Sequence, residues 1–182
     1  GALGAFSFGI GATEMASVWA LGRVLNVEVP KTIKVVAKGK FGRYVLPKDF
    51  ILYLIGKISA EGANFKVLEY HGPAIQKMTT SGRLTVANMS VEAGATSGIF
   101  PPDEETLRYL REEAKVKGPI DVFGPDPEAE YDQVIEINVS ELEPMVACPH
   151  TVDNVKPVSR VGRVKVDQIV IGSCTNGRLD DL

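Results

Sequence analysis

The sequence is poor in cysteine and histidine, and neither sign of charge dominates it. Two cysteines among 182 residues are too few for a disulfide scaffold, so we expect a reducing, cytoplasmic environment. With 20 basic residues, 23 acidic residues and a net charge of −3, the chain lacks the basic footprint of nucleic-acid-binding proteins. No apolar run approaches the roughly 18 residues of a membrane span. We therefore expect neither a nucleic-acid nor a membrane partner.

Strand and helix patterns instead alternate along the chain. Apolar residues make up 45% and charged residues 24%, which is typical of a globular domain. Alternation of strands with helices predicts an α/β fold with a mixed or parallel sheet. Strand patterns cover residues 32–38, 65–70, 131–139 and 167–171, and helix patterns cover 13–25, 47–58, 84–93 and a stretch from 103 onwards.

The first helix pattern carries an apolar stripe. Met15, Val18 and Trp19 recur with the period of a helix, which predicts a face packed into a core. Gly9-Ile10-Gly11 just before it resembles the start of a dinucleotide-binding loop. Glu14 stands where that loop needs its third glycine, and no strand precedes it, so a nucleotide site is not favoured.

Both ends of the sequence look like interior segments. Residue 1 is Gly rather than Met, and residues 176–182 resemble the first turn of a helix. A helix that stops after one turn is marginal on its own. We interpret the chain as part of a longer protein.

Cys174 follows a short apolar stretch and precedes this predicted helix start. Ligands collect at the carboxyl ends of strands in open α/β sheets, and a helix N-terminus favours the thiolate form of cysteine. The residues alone leave three interpretations open: an inert buried cysteine, a nucleophile, or a ligand of a metal or cluster. The two histidines, His71 and His150, lack metal-ligand spacing and are interpreted as structural or as fringe residues of a substrate site.

Asn88 and Glu92 form the second candidate constellation. They are four positions apart in the helix pattern 84–93, so both are expected on one helix face. A carboxylate beside an amide can position a bound hydroxyl and move its proton. Glu92 is alternatively a solvated surface acid. Its mainly apolar neighbours favour a paired or functional carboxylate.

Four segments resemble motifs of the aconitase superfamily, in the order expected for that family. Residues 171–178 read Ile-Gly-Ser-Cys-Thr-Asn-Gly-Arg, which is similar to the family's cluster-binding signature. Residues 88–96, 149–155 and 1–16 resemble three further family segments. The short connections look more like the isopropylmalate and homoaconitate dehydratase branch than aconitase itself.

The resemblance implies a hydro-lyase that uses a 4Fe–4S cluster as a Lewis acid. It implies that Cys174 is the first of three thiolate ligands, that Glu92 acts on the hydroxyl or water, and that Asn88 orients groups at the cluster. The substrate would be a hydroxy-di- or tricarboxylate of leucine or lysine-type biosynthesis. The other two cluster cysteines would lie beyond Leu182, so we expect the isolated chain to be inactive and without an intact cluster.

The resemblance also implies how the chain is organised. Aconitase-like three-layer α/β/α domains are expected, with residues 1–30 closing a first domain, 31–128 forming a second, and 129–182 beginning a third that carries Cys174. The expected partner is a small subunit that supplies the swivelling domain. The alternative is a non-catalytic aconitase-fold fragment or interaction module.

Overall fold

A parallel four-stranded sheet is the centre of the computed structural model, which describes residues 1–22 and 26–181. The strand order is β3-β2-β1-β4, and all three pairings are parallel. The predicted α/β class is therefore confirmed. The strands are β1 (Lys31–Lys38), β2 (Lys66–His71), β3 (Ser97–Ile99) and β4 (Gln133–Asn138).

Alternation along the central strand decides which face of the sheet is buried. Ile33, Val35 and Ala37 of β1 are fully buried, because side chains two positions apart point to the same face. The register places Ile33 beside Leu68 and Val35 beside Ile135. One face of three neighbouring strands is therefore continuously apolar.

Two helices pack against this core, α2 (Pro47–Ile58) and α4 (Thr80–Met89). Helix α2 begins with Pro47 at its first turn, where a proline is pre-organised for the helix. The Asp49 carboxylate accepts hydrogen bonds from the backbone N–H groups of Leu46 and Met145, both at 2.6 Å. Gly82 of α4 lies so close to Pro47 that a Cβ at this position would meet the proline ring at 2.6 Å. The absence of a side chain at residue 82 thus lets the two helices approach closely.

The opposite face of the sheet is polar and half-buried. Glu69 accepts hydrogen bonds from the ring of His71, at 2.5 Å, and from the Tyr131 hydroxyl, at 3.1 Å. The Lys34 ammonium lies 4.7 Å from the centre of the Tyr131 ring. Burial raises the pKa of Glu69, but the hydrogen bonds from His71 and Tyr131 outweigh this effect and hold it below its usual value. These contacts let charged side chains occupy a partly desolvated face.

The remaining elements are short. None of the helices in the described ranges is long and apolar enough to cross a membrane. The remaining elements are the helices α1 (Ala12–Leu21), α3 (Pro73–Gln76) and α5 (Glu104–Arg108), the π turn Tyr109–Glu113, the hairpin strands β5 (Met145–Ala147) and β6 (Val155–Pro157), and the 3-10 turns Ser90–Ala93, Val139–Glu141, Val158–Arg160 and Leu179–Asp181.

Two predicted elements differ from the structure. Helix α1 ends at Leu21 and has no buried residue. Trp19 is 77% exposed, so the prediction that its stripe packs into a core is wrong for the described part of the chain. Residues 23–25, the end of the predicted helix 13–25, lie outside that part. The predicted strand at residues 167–171 is also wrong: the segment is irregular and Val170 is 84% exposed. Apolar content alone does not make a strand when no neighbouring strand pairs with it.

The predicted boundary at residue 128 precedes a strand that joins the sheet of the preceding segment. Strand β4 pairs with β1 in parallel from Ile33↔Gln133 to Lys38↔Asn138. Strand β4 therefore belongs to the same sheet as β1 and β2. The division of the chain into residues 1–30, 31–128 and 129–182 stays a prediction.

Arg83 is a polar centre within the interior beside α4. It is 1% exposed, and its two terminal nitrogens each donate to the Asp103 carboxylate at 2.7 Å. Its other donors reach the carbonyl oxygens of Met78 and Ile75 at 3.1 and 3.2 Å. A planar guanidinium can serve such divergent acceptors at once. Arg83 therefore connects α3, α4 and the start of α5.

The variant Arg83→Met is expected to lower the free energy of unfolding by about 3 kcal/mol, because breaking a buried ion pair leaves Asp103 and two carbonyl groups unsatisfied. Lys38→Met is the control, since the Lys38–Glu136 pair has side chains that are 54% and 59% exposed. Its expected cost is below about 0.5 kcal/mol. Urea unfolding of both variants measures the two values, and equal losses would contradict the role assigned to Arg83.

Glu105 makes the stability of the α4–α5 junction depend on pH. The hydrogen bond from Arg108, together with those from the N–H and hydroxyl of Thr80, lowers the pKa of Glu105 to about 2. A lowered folded-state pKa stabilises the protein above the ordinary pKa, near 4.5, and that contribution is lost as the pH falls towards about 2. Glu105→Gln should therefore flatten the decline of unfolding free energy between pH 4.5 and 2. Identical slopes for the two proteins in acid urea titrations would contradict this assignment.

Candidate functional site

Cys174 lies exposed on a tight turn near the end of the described chain. A bridge between Gly172 and Asn176 closes the turn, and the Thr175 N–H donates to the Ser173 hydroxyl at 3.2 Å. A Cβ on Gly177 would meet the Ser173 carbonyl oxygen at 2.6 Å. Glycine at residue 177 therefore allows the turn to close and present the thiol at the surface.

The turn is docked onto helix α4 through Thr175, the neighbour of Cys174. The Asn88 side-chain amide donates to the Thr175 hydroxyl at 2.8 Å. The Thr85 hydroxyl donates to the Thr175 carbonyl oxygen, also at 2.8 Å. The structure thus brings two of the three predicted site residues, Asn88 and Cys174, into one hydrogen-bonded unit.

Arg178 joins the same two elements from the other end of the turn. Its Nε donates to the Ser81 hydroxyl at 2.9 Å, and one terminal nitrogen donates to the Cys174 carbonyl oxygen at 3.0 Å. The other terminal nitrogen donates to the Thr85 hydroxyl and, at 3.1 Å, to the Thr175 carbonyl oxygen. A single side chain therefore contacts both α4 and the backbone around the cysteine.

Glu92 occupies a different environment from the one its sequence neighbours suggested. It lies in the 3-10 turn Ser90–Ala93 rather than in α4, and its side chain is exposed. The turn continues α4 directly and ends at Gly94, whose φ of 81° is left-handed, so the chain leaves the helical path after Ala93. The helix predicted for 84–93 therefore begins earlier, at Thr80, and changes to 3-10 geometry after Met89. The expectation of apolar surroundings for Glu92 was wrong, because its side chain is exposed. Whether Glu92 is catalytic stays a prediction.

The described residues contain no complete metal or cluster site. Within the described ranges, no three His, Cys, Asp or Glu side chains are close enough to hold a metal ion. Cys148 is half-buried, and its backbone N–H donates to the Asn154 carbonyl oxygen at 2.8 Å. A cubane cluster needs three or four thiolates. One exposed thiol, that of Cys174, is too few, so the described donor set does not hold such a cluster by itself.

A surface groove elsewhere on the chain is lined by both apolar and charged residues, Glu14 and Lys31 among the latter. It has a volume of about 640 Å³ and is bordered by Phe8, Ile10, Val29 and Phe65. None of the residues of the Cys174 turn lines it. Convergence of polar side chains, rather than cavity size, therefore marks the candidate site on this chain.

Sequence reasoning missed how α4 receives the turn. Ser81, Thr85 and Asn88 are spaced i, i+4 and i+7, so they form one polar stripe along the helix. The motif around Cys174 indicates the cysteine, whereas Thr175 and Arg178 make the contacts with the helix. A signal was present: a polar stripe on a helix whose opposite side supplies the buried Val86 indicates a second packed surface.

The parallel sheet, the packed helices and the motif-bearing turn belong to a known class of protein. A family model described as the aconitase family (aconitate hydratase) matches residues 1–163, and the chain belongs to that family. The predicted resemblance is thereby confirmed, although this match ends before the Cys174 turn.

Curated relatives extend the similarity through the turn. The chain is 48% identical over 182 residues to the 3-isopropylmalate dehydratase large subunit of Syntrophus aciditrophicus, covering all of this chain and 43% of that protein. It is 46% identical over 182 residues to the probable methanogen homoaconitase large subunit of Methanosarcina mazei, covering all of this chain and 46% of that protein. The chain thus spans less than half the length of these relatives.

The two cysteines should differ in reactivity. Cys174 is exposed and Cys148 half-buried, so iodoacetamide should alkylate Cys174 several-fold faster, because reactivity follows access. Peptide mass spectrometry after timed labelling measures both rates. In urea the rates should converge, which serves as the control. Equal rates in the folded chain would contradict the exposed turn.

Proposed function

We propose that this chain is part of the large subunit of a hydro-lyase that moves a hydroxyl group between adjacent carbons of 2-isopropylmalate, or of homocitrate and homoaconitate. The observation that carries the proposal is 48% identity over the whole chain to a 3-isopropylmalate dehydratase large subunit. The hydrogen bond from Asn88 to Thr175, beside Cys174, supports it. That contact joins two of the segments that bear family motifs.

The chemistry of the three predicted residues fits this reaction class. Cys174 offers an exposed sulfur, and thiolate sulfur is the usual protein ligand of iron–sulfur clusters. Asn88 is half-buried and its amide nitrogen is engaged by Thr175, so its amide oxygen is the atom that would accept a hydrogen bond from a substrate hydroxyl. Glu92 is exposed, and a carboxylate can take up or release the proton of the hydroxyl that is moved.

A 4Fe–4S cluster, when bound in the complete subunit, supplies a Lewis acid for the hydroxyl. From this chain, Cys174 is the residue that would hold it, and the remaining ligands would come from residues outside these 182. Because a single thiolate does not retain a cubane, we propose that the isolated chain is inactive.

The proposed assembly also includes a small subunit. Two relatives are named as large subunits, and we propose that a small subunit closes over the surface that presents Cys174. The hydroxy-di- or tricarboxylate substrate would bind between the two subunits, in the cytoplasm, where thiolates stay reduced.

Reconstitution tests the proposal directly. The complete large subunit containing these 182 residues is prepared without oxygen, supplied with iron and sulfide, and mixed with its small subunit. Hydration of the unsaturated acids derived from isopropylmalate and homocitrate is followed by loss of ultraviolet absorbance. Turnover of either acid is expected, and the faster one identifies the substrate. A fully assembled, cluster-containing complex that turns over neither acid would support the alternative, a non-catalytic aconitase-fold module.

The variant Glu92→Gln should lower turnover in that assembly by about 10²- to 10⁴-fold, the range expected when a group that transfers a proton is removed. The cluster absorbance should stay unchanged, because Glu92 is not a proposed ligand. Glu128→Gln is the matched control, since Glu128 is exposed in the segment between α5 and β4 and should leave the rate unaltered. Equal rates for wild type and Glu92→Gln would reduce Glu92 to a surface residue.

A further inference from the structure

We infer that Arg178 is a positioning residue that fixes the turn 172–178 on helix α4 and thereby sets the place of Cys174 relative to Asn88. The inference stands on hydrogen-bond geometry within the chain. Its relevance to catalysis rests on the proposed function, but its local effect is measurable without the cluster.

The Arg178 guanidinium donates to four acceptors on two different elements. Arg178 donates to side-chain oxygens of Ser81 and Thr85 on α4. It also donates to the carbonyl oxygens of Cys174 and Thr175 on the turn. Arginine has five donors in a rigid fork, so four contacts with divided targets hold the helix and the turn in one relative position.

Thr85 of α4 forms hydrogen bonds with both Arg178 and the turn. Its hydroxyl accepts from Arg178 and donates to the Thr175 carbonyl oxygen at 2.8 Å. The residue is 2% exposed, so water competes little for these bonds. A hydroxyl that accepts on one side and donates on the other links Arg178 to the turn through the helix.

The hydrogen bonds of Arg178 and Thr85 also hold the residue next to Cys174. Thr175 follows Cys174 directly, and its hydroxyl accepts from Asn88 at 2.8 Å. Arg178 and Thr85 hold the carbonyl group of Thr175, while Asn88 holds its side chain. Any displacement of the turn along α4 therefore breaks several hydrogen bonds together, and the backbone of Cys174 is held in place relative to Asn88.

The same contacts separate a positioning role from substrate binding. An arginine near an active site often binds a carboxylate through two parallel donors. The Arg178 donors instead point into the helix and the turn. Binding a substrate carboxylate in that way would require Arg178 to release the turn.

Amide hydrogen exchange on the 182-residue chain tests whether Arg178 fixes the turn 172–178 on α4. Arg178→Ala should speed exchange in the peptide covering residues 172–178 by at least about tenfold, because hydrogen bonds to a charged group are lost. Peptides covering β4 and the β5–β6 hairpin should keep their rates. Arg163→Ala is the matched control, since Arg163 is exposed on the segment before the turn and should leave every peptide unchanged.

Substitutions of Thr85 provide a second, independent measure. Thr85→Val keeps the shape of the side chain but removes the hydroxyl, and should reproduce the local effect of Arg178→Ala. Thr85→Ser keeps the hydroxyl and should retain wild-type exchange. In the double variant Arg178→Ala/Thr85→Val, the logarithmic increase in the exchange rate of residues 172–178 should be smaller than the sum of the increases in the two single variants. Both substitutions remove members of the same hydrogen-bond network. Unchanged exchange at residues 172–178, or faster exchange throughout the chain, overturns the inference.

The complete assembly then distinguishes positioning from substrate binding. Arg178→Lys should shorten the lifetime of the cluster absorbance in air relative to wild type, with KM unchanged. A raised KM with an unchanged cluster lifetime would instead make Arg178 a substrate ligand and overturn the inference. If the wild-type assembly binds no cluster, the proposed function fails, whereas the exchange experiment still decides the structural role of Arg178.

Discussion

Helix α4 must satisfy two packed surfaces at once, and the arrangement of the candidate site depends on that constraint. One side of the helix contributes Val86 and Met89 to the core above the sheet. The other side presents the hydroxyl and amide groups that receive the turn of Cys174. The rotation of the helix is fixed by its apolar side, because shifting it would expose core residues to water. The polar stripe is thereby aimed at the turn without any contribution from the turn itself.

Two arginines connect this helix to its neighbours by the same physical means. Arg83 extends from α4 to Asp103 and to backbone carbonyl groups, and Arg178 extends from the turn back to α4. Each uses a planar, permanently charged fork to hold several acceptors that a hydrocarbon side chain could not satisfy. Arg83 is buried and supports the fold, whereas Arg178 lies nearer the surface and orients one exposed turn. The fold and the site are thus stabilised by separable interactions.

The sequence predicted the elements whose apolar pattern follows from burial in the core. It failed where an element depends on contacts with distant segments of the chain. The strands β1, β2 and β4 and the helix α2 follow alternating or helical apolar patterns, and the structure contains them within a few residues of their predicted bounds. The apolar stripe of Trp19 and the apolar run ending at Ile171 gave equally clear patterns, but nothing in the described chain packs against them. Cys174 was found from its motif. Its docking through Thr85 and Arg178 depends on contacts between distant segments, which a local pattern does not contain.

The pairing of β1 with β4 has a consequence for the newly made chain. Ile33 pairs with Gln133, so one edge of β1 must wait until the ribosome has delivered the whole intervening segment. During that interval the strand presents free N–H and C=O groups beside an apolar face, which is the surface that promotes intermolecular association. Lys31, Lys34 and Lys38 are spaced along the same strand, and charges of one sign discourage two such edges from meeting. Like charges at three positions of β1 therefore oppose the pairing of that edge with a second copy of the strand.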